Sequence, residues 1–404
     1  MLDSLRSVMR FRRIELDPVT RRLSRAASVA DLRRIAKRVT PSGVFDYIDG
    51  AAEDERTLAA NSADFGRIGF RPRVLRDVGT VDPSTTILGT PAPLPLVFAP
   101  TGFGRMPHPD GELAVARVAA RAALPYSLST MATRSIEEVA EASGGGRRWF
   151  QVYVWRDRGL VKEMIERAAA AGYEALIVTV DTAMLGKRER DVRRGFSMPP
   201  KLGVDTLLQG AIHPGWTWRF VTSEPVRFAN VAGRGDVGDG STAVALADYI
   251  NTQFDPGLSW ADIDWMRSVW DGPIVLKGIQ TVADAEIAVE HGVEAIALSN
   301  HGGRQLDDAP TPISLVAPVV DRVGGRIEVY CDGGVRRGSD IVKAVSLGAN
   351  ACMIGRAYLY GLAAGGERGV EHVVKLLDGD VRRTMALVGA TDVGALSRDL
   401  VSLP

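Results

Sequence analysis

Short apolar runs rich in β-branched residues recur along this chain, separated by amphipathic stretches of about 10–15 residues. The runs fall at 94–100, 126–130, 149–154, 175–181, 273–278, 295–300, 328–334 and 351–356. They are nearly continuous in hydrophobicity, as strands covered on both faces must be. Between them, 111–123, 160–171, 260–270, 282–291 and 339–347 place apolar residues at helical spacing. Strand–helix alternation predicts a parallel α/β fold. Eight strands predict a TIM (β/α)8 barrel, with a doubly wound sheet as runner-up. Before the barrel, 28–38 and 40–49 read as helices, the first with Ser28 as its N-cap.

One interval breaks the rhythm. Between the fourth and fifth runs lies an insertion, 182–258, rich in Gly, Pro, Trp and polar residues. It leaves the C-terminal end of a strand, where barrel active sites lie, so a lid is the functional reading and an inert excursion the bland one. Its Gly233-Arg-Gly-Asp-Val-Gly238 matches the dinucleotide-loop spacing but lacks the flanking strand and helix, so it carries no weight.

The C-terminal strand ends concentrate polar residues. They are Pro100, Thr101 and Gly102; Ser129; Gln151 and Tyr153; Thr179 and Asp181; Lys277; Ser299 with His301 and Arg304; Asp332, Gly333, Gly334 and Arg336; and Gly355 with Arg356. The last two loops read as a phosphate site. Glycines admit backbone N–H groups to an anion, helix N-termini add positive potential, and Arg336 and Arg356 supply forked donors. His301, flanked by glycines, can take a proton. Arg304 can hold a carboxylate by two parallel bonds. Asp181 can orient the imidazole, and Lys277 can supply a fixed cation.

Other chemistries find little support. Five scattered histidines and two cysteines form no metal pattern, and no G-x-S-x-G elbow marks a hydrolase. Cys331 and Cys352 lie inside strands seven and eight and read as buried small hydrophobes, not a disulfide framework.

These motifs identify a resemblance. From about Val29 to the C-terminus the chain resembles the FMN-dependent α-hydroxy-acid dehydrogenase/oxidase family. The likeness rests on Ser-Asn-His-Gly-Gly-Arg-Gln-Leu-Asp (299–307), Asp-Gly-Gly-Val-Arg-Arg-Gly (332–338), Phe-Gln-Val-Tyr-Val (150–154) and Val-Thr-Val-Asp-Thr (178–182). Trp-Arg-Asp-Arg-Gly (155–159), His-Pro-Gly-Trp-Thr-Trp (213–218) and the ten residues 251–260 are similar to its respiratory L-lactate dehydrogenase branch. The resemblance implies a barrel with FMN at its mouth. Arg336, Gly355 and Arg356 would bind its phosphate, with Asp332 on the ribityl side and Gly333 and Gly334 also binding the cofactor. Pro100, Thr101, Gly102, Ser129, Gln151, Thr179 and Ser299 would lie on the ring side, with Lys277 beside the reduced ring. His301 would be the base and Asp181 its partner. Arg188 and Arg304 would take the substrate carboxylate, and Tyr47 and Tyr153 would line the substrate pocket. Met131, Gly102 and Phe103 depart from common family choices, at positions that shape the pocket and oxygen access.

The implied activity is oxidation of an L-2-hydroxy acid, foremost L-lactate to pyruvate, with electrons passed to a quinone or other carrier. His301 would take a proton from Cα or from the hydroxyl; both routes stay open. Alternatives are an oxygen-using oxidase or monooxygenase on glycolate, mandelate or a larger acid, an oxidase of a peptide-derived cofactor precursor, and a flavin-binding barrel without turnover. A homo-oligomer, by family likeness a tetramer, is expected.

Charge then changes the picture of partners. The 49 basic and 49 acidic residues cancel, which argues against nucleic acid. The cancellation hides an asymmetry. Residues 1–38 hold ten arginines and Lys37 against Asp3, Glu15, Asp17 and Asp31, a net of +7 that leaves −7 elsewhere. The expected organisation is a basic extension over 1–28 and one barrel domain over 29–404. No leader, membrane-spanning run or peroxisomal ending is read. A cytoplasmic location is expected, with the basic arm as a candidate for attachment to the inner membrane face.

Overall fold

A computed structural model of the protein describes residues 15–193, 203–231 and 252–403. The eight apolar runs form eight parallel strands: β1 (Leu96–Phe98), β2 (Tyr126–Ser129), β3 (Arg148–Tyr153), β4 (Ala175–Thr179), β5 (Ile274–Ile279), β6 (Ala295–Ser299), β7 (Glu328–Asp332) and β8 (Ala351–Ile354). They close in sequence order, with β8 paired to β1. This is a TIM barrel, as expected from the strand–helix alternation.

Side chains alternate between two cores, as strand geometry demands. Val97, Trp149, Ile177, Val275, Ala297 and Tyr330 point into the barrel; Leu96, Phe98, Phe150, Leu176 and Leu276 face the helices. Trp149 stacks on Tyr330 across the barrel, ring centroids 6.0 Å apart, and the small Ala175, Ala295 and Ala351 leave room for them. A hairpin of Thr85–Ile87 and Thr90–Ala92 covers the N-terminal end, where Ile87 is fully buried and its carbonyl accepts from Arg147 at 2.8 Å. The C-terminal mouth is left open.

The apolar runs overshoot the strands at that mouth. Residues 180–181, 300, 333–334 and 355 lie in loops, because the chain turns after each last ladder bond. The overshoot carries Asp181, Gly333, Gly334 and Gly355, so the boundary errors fall where chemistry collects. Register sets the remaining strand-end residues side by side: Ser129 opposite Gln151, Tyr153 opposite Thr179, Thr179 opposite Lys277, and Ser299 opposite Asp332.

The barrel helices are α1 (Gly111–Arg121), α2 (Ile136–Ser143), α3 (Arg158–Ala170), α4 (Trp260–Val269), α5 (Val282–Glu290), α6 (Pro312–Val323), α7 (Gly338–Ser346) and α8 (Arg356–Val388), the last broken by non-helical backbone at Gly365 and Gly366. Upstream, Val29–Val39 is capped as expected: Ser28 Oγ accepts from Asp31 N at 3.2 Å. Ser42–Asp49 follows. Two further helices, Pro18–Leu23 and Arg56–Arg67, were not expected from the pattern. The first bears on the expected extension over 1–28. Leu23 and Ala26 are buried, and Asp17 pairs with Arg368 of α8 at 2.6 Å, so residues 15–28 pack onto the body. The rest of that arm and the Gly233–Gly238 stretch lie outside the described residues.

Within the insertion, short helices Glu189–Arg193, Val204–Ile212 and Pro214–Val221 are described. Its far end is pinned to β3: Phe254 bridges Trp155, and Arg156 N donates to Gln253 O at 2.9 Å.

Candidate active site

The open mouth holds a cavity of about 300 Å³, in the size range of small-molecule sites. Every residue singled out from the sequence lines it except Asp181 and Ser299, which sit one hydrogen bond behind.

His301 follows β6 in a left-handed backbone, φ +57°, an uncommon conformation that aims its ring over the mouth. Its loop is held from behind. Asn300 and Asn61 exchange two amide bonds of 2.8 Å, and Gly303 N donates to Asn300 Oδ1 at 3.1 Å. His301 Nδ1 lies 3.0 Å from Asp181 Oδ1. Asp181 reaches that position because β5 bulges after Lys277 and residue 278 is glycine, φ +114°; a Cβ there would lie 2.8 Å from the Asp181 side chain. The other carboxylate oxygen of Asp181 is buried and unpartnered.

Burial pushes the His301 imidazole below its ordinary pKa. Asp181 pulls the other way, and the Lys277 and Arg304 cations add to the downward push. Burial also works against the Asp181 charge, but His301 and Lys277 outweigh it and its carboxyl sits below the ordinary value. At neutral pH the pair is therefore a neutral imidazole whose Nδ1–H is held by a carboxylate. That leaves Nε2 as a free base aimed at the cavity.

Lys277, buried at the end of β5, places Nζ 3.0 Å from Ser299 Oγ and 2.9 Å from Asp332 Oδ2. Burial disfavours its charge, yet Asp332 and Asp181 more than compensate and its pKa stands above the ordinary value. Two of its three donors are used, which leaves one for a ligand. Ser299 Oγ also donates to Asp332 and accepts from His301 N at 3.1 Å. Its hydroxyl, expected on the cofactor side, fixes Lys277, Asp332 and the histidine loop.

Arg304 lies over the Tyr47 ring, 5.0 Å from its centroid, and donates Nη1 to the carbonyls of Tyr47 and Gly50. Burial, then the nearby Arg188 guanidinium, depress its pKa to about 9. Arg188 lines the same wall, its Nε buried without a partner. Together they suit a carboxylate.

At the opposite end, Gly333, Gly334, Gly355 and the first turn of α8 face the cavity. A Cβ on Gly334 would collide with the Asn61 carbonyl, which requires glycine there. Arg336 has no carboxylate partner among the described residues, and its fork touches only the Val335 carbonyl. Arg356, expected on a phosphate, lines this end of the cavity; its guanidinium donates to the carbonyls of Ile48, Gly302 and Gly50 at 3.0, 2.8 and 2.7 Å, which clasps the loops together and leaves two of its five N–H groups for an anion, beside its backbone N–H at a helix start.

FMN fits this donor set. Gln151 Oε1 accepts from Ser129 Oγ at 2.9 Å, while its Nε2 is buried and unpartnered among the strand ends that line the cavity. A heteroatom-bearing ring can satisfy it. The glycine loops and Arg336 suit the phosphate, and Lys277 suits a ring that gains negative charge.

Sequence reasoning missed the aromatic wall. Phe228 from the interior of the insertion and Phe254 from its far end pack against Phe103 and Tyr153 with ring centroids at 4.8 and 5.3 Å. Phe254 sits in a motif noted above, and its place after the polar Gln253 was the available signal. Asn61 had no local signal at all. Met131 and Gly102 prove coupled: a Cβ at 102 would lie 2.9 Å from the Met131 Cβ.

Comparison with known proteins gives the same picture. Residues 36–403 match the family described as FMN-dependent dehydrogenase. The chain is 48% identical to a putative L-lactate dehydrogenase of Mycobacterium tuberculosis, over 97% of this chain and 93% of that one. It is 42% identical to glycolate oxidase 1 of Oryza sativa subsp. indica, over 92% and 94%. The solved structure of (S)-mandelate dehydrogenase, described as a monotopic membrane protein, superposes with TM-score 0.90 at 37% identity, covering 94% of this chain and all of that one.

Proposed function

This chain belongs to the FMN-dependent family of 2-hydroxy-acid dehydrogenases and oxidases, and from that premise we propose that it oxidises L-lactate to pyruvate and passes the electrons to a quinone. The observation that carries the reading is the meeting, at one cavity, of the His301–Asp181 pair, two arginines on one wall, and buried Lys277. Lactate is supported by the 48% identity to a putative L-lactate dehydrogenase.

Arg304 and Arg188 hold the substrate carboxylate, and Tyr47 and Tyr153 bound the pocket beside it. His301 Nε2 takes a proton, from Cα or from the hydroxyl. Asp181 keeps the proton on Nδ1 and stabilises the imidazolium that results. FMN, when bound, supplies the two-electron acceptor. Lys277 offers a fixed positive charge where negative charge develops, so no reorganisation is needed during the reaction. Gln151 and Ser129 orient the ring, and Arg336 with the glycine loops and the Arg356 N–H holds the phosphate. Phe103, Phe228 and Phe254 exclude water from the reacting face.

The test is anaerobic mixing of the yellow protein with L-lactate, glycolate and (S)-mandelate in turn, followed by air or a soluble quinone. L-Lactate should bleach the flavin fastest, and quinone should restore colour faster than oxygen. Faster bleaching by glycolate or mandelate overturns the substrate. Faster reoxidation by oxygen favours an oxidase, which the glycolate oxidase likeness supports as a second reading.

The His301 reading sets a pH profile. A base must be neutral to act, and burial lowers its pKa, so kcat/KM should be flat through neutrality and fall only as pH drops below the ordinary histidine range. Asp181 raises the imidazole pKa, so Asp181→Asn should move the acid limb to still lower pH while lowering kcat. An acid limb displaced upward would contradict the assignment.

A homo-oligomer peripheral to the inner membrane face completes the proposal. No helix among the described residues is long and apolar enough to cross a membrane. The monotopic description of the mandelate dehydrogenase relative supports surface attachment.

A further inference from the structure

Arg188 faces the substrate cavity from a turn that cannot hold itself. The helix that follows, Glu189–Arg193, has five residues and buries none of them. A helix that short gains too few bonds to be stable alone. The Arg188 guanidinium has no hydrogen bond or ion pair among the described residues, and its Nε is buried without a partner. Whatever fixes Arg188 opposite Arg304 therefore acts through its neighbours in the chain. On the near side the main chain is gripped. Glu53 N donates to the Lys187 carbonyl at 2.9 Å, and Gly186 N donates to Gln305 Oε1 at 3.1 Å. A Cβ on Gly186 would collide with the carbonyls of Arg304 and Gln305.

On the far side the grip is Arg190. Its Nη1 donates to Asp49 Oδ2 at 2.9 Å and lies 3.6 Å from Asp46 Oδ1, and its Nη2 pairs with the Glu55 carboxylate. Asp49 is 3% exposed and also accepts from Arg33 Nη2 and from the Tyr360 hydroxyl, each at 2.7 Å. Burial works against its charge, yet Arg33, Tyr360 and Arg190 bring its pKa to about 2, so the anchor is ionised at neutral pH. Glu55 is held in turn by the Ala51 N–H at 2.9 Å. A fixed point outside the insertion thus reaches a side chain two positions from Arg188. Arg190 does not line the cavity and both of its Nη groups are committed, so it is no carboxylate ligand itself. Nor does the fold hang on it. Its side chain is 31% exposed, and its removal leaves Asp49 with Arg33 and Tyr360, so no buried charge is stranded.

We propose that Arg190 is a positioning residue for the substrate carboxylate: its ion pairs with Asp49 and Glu55 fix the turn that presents Arg188 to the cavity opposite Arg304 before substrate arrives. The inference rests on the assignment of Arg188 and Arg304 to that carboxylate. A long side chain on a loose turn must be ordered at every binding event, and that cost is subtracted from affinity; a turn braced in advance avoids it. Both arginines hold a part of the substrate that does not react, so their contact is the same in the ground state and the transition state. Loss of the brace therefore raises KM and leaves kcat nearly alone.

The test is anaerobic stopped-flow bleaching of the full FMN-loaded chain against concentration of L-lactate, or of whichever of L-lactate, glycolate and (S)-mandelate bleaches the parent fastest. It compares Arg188→Met, Arg190→Met and the variant carrying both. Arg190→Met should raise the half-saturating concentration about 10- to 100-fold, with the limiting rate within about threefold of the parent and FMN content and melting transition unchanged. Because Arg190 acts through Arg188, the double variant should be no weaker than Arg188→Met alone. Glu55→Gln, which loosens one anchor, should move half-saturation the same way by less. Parent half-saturation in Arg190→Met overturns the proposal, and so does a double variant in which the two effects multiply. Should Arg190→Met fail to fold, Glu55→Gln decides: unchanged half-saturation with a normal melting transition overturns it. Failure of the underlying reading has another signature, since Arg188→Met itself would then saturate like the parent, and both would fall.

Discussion

His301→Gln leaves the protein yellow and unreactive. FMN content stays at the parent level, because the glycine loops and Arg336 that suit the phosphate lie at the other end of the cavity. Flavin reduction by L-lactate falls by about 10⁴-fold, the upper range for loss of a positioned general base. The left-handed backbone at this position, φ +57°, raises the question of strain. Asparagine tolerates that region about as well as histidine does. His301→Asn should therefore show the same kinetic loss with a normal melting transition. Stopped-flow reduction with each variant is the check, and rapid bleaching in either removes His301 from the role of base.

Lys277→Met has the larger effect on stability. It deletes the cation from a buried pair whose carboxylate, Asp332, keeps only the Ser299 hydroxyl at 2.7 Å. An uncompensated buried charge costs about 3–5 kcal/mol. The expected result is a lower unfolding midpoint in denaturant, weaker FMN retention and flavin reduction slower by about 10²–10³-fold. Replacing both partners, Lys277→Met with Asp332→Asn, separates the effects. Most of the stability returns, since no charge is stranded, but reduction stays slow because the fixed cation is still missing. Recovery of the rate in the double variant would show that Lys277 serves only to neutralise Asp332.

Much of this architecture was legible in the chain for one physical reason. A strand covered on both faces must be apolar along its length, so Leu176, Ile177 and Val178 announce β4 without help from distant residues. The polar residues that interrupt those runs at their C-terminal ends are then conspicuous, which is why Asp181, Lys277 and His301 could be named in advance. Residue type could not reveal bonding valence. The Ser299 hydroxyl is committed to Asp332, Lys277 and the His301 N–H, and three Arg356 N–H groups to carbonyls, facts that exist only once the loops meet. Asn61 lies on a helix with half-polar composition and acts through an asparagine 239 positions away. The Phe228 and Phe254 wall likewise depends on two separate parts of a long insertion returning to one place.

The carbonyl of Gly50 accepts from Arg304 and from Arg356, and the same short segment carries Tyr47 and the Ile48 carbonyl. That segment, 47–50, lies well before the first barrel strand, which starts at Leu96. The eight-stranded module is therefore not the smallest working unit of this scaffold. Excised or grafted alone, it would keep a cofactor cradle and a base but forfeit the abutment against which both arginines are braced. Anyone transplanting this chemistry has to move the helical prelude with the barrel.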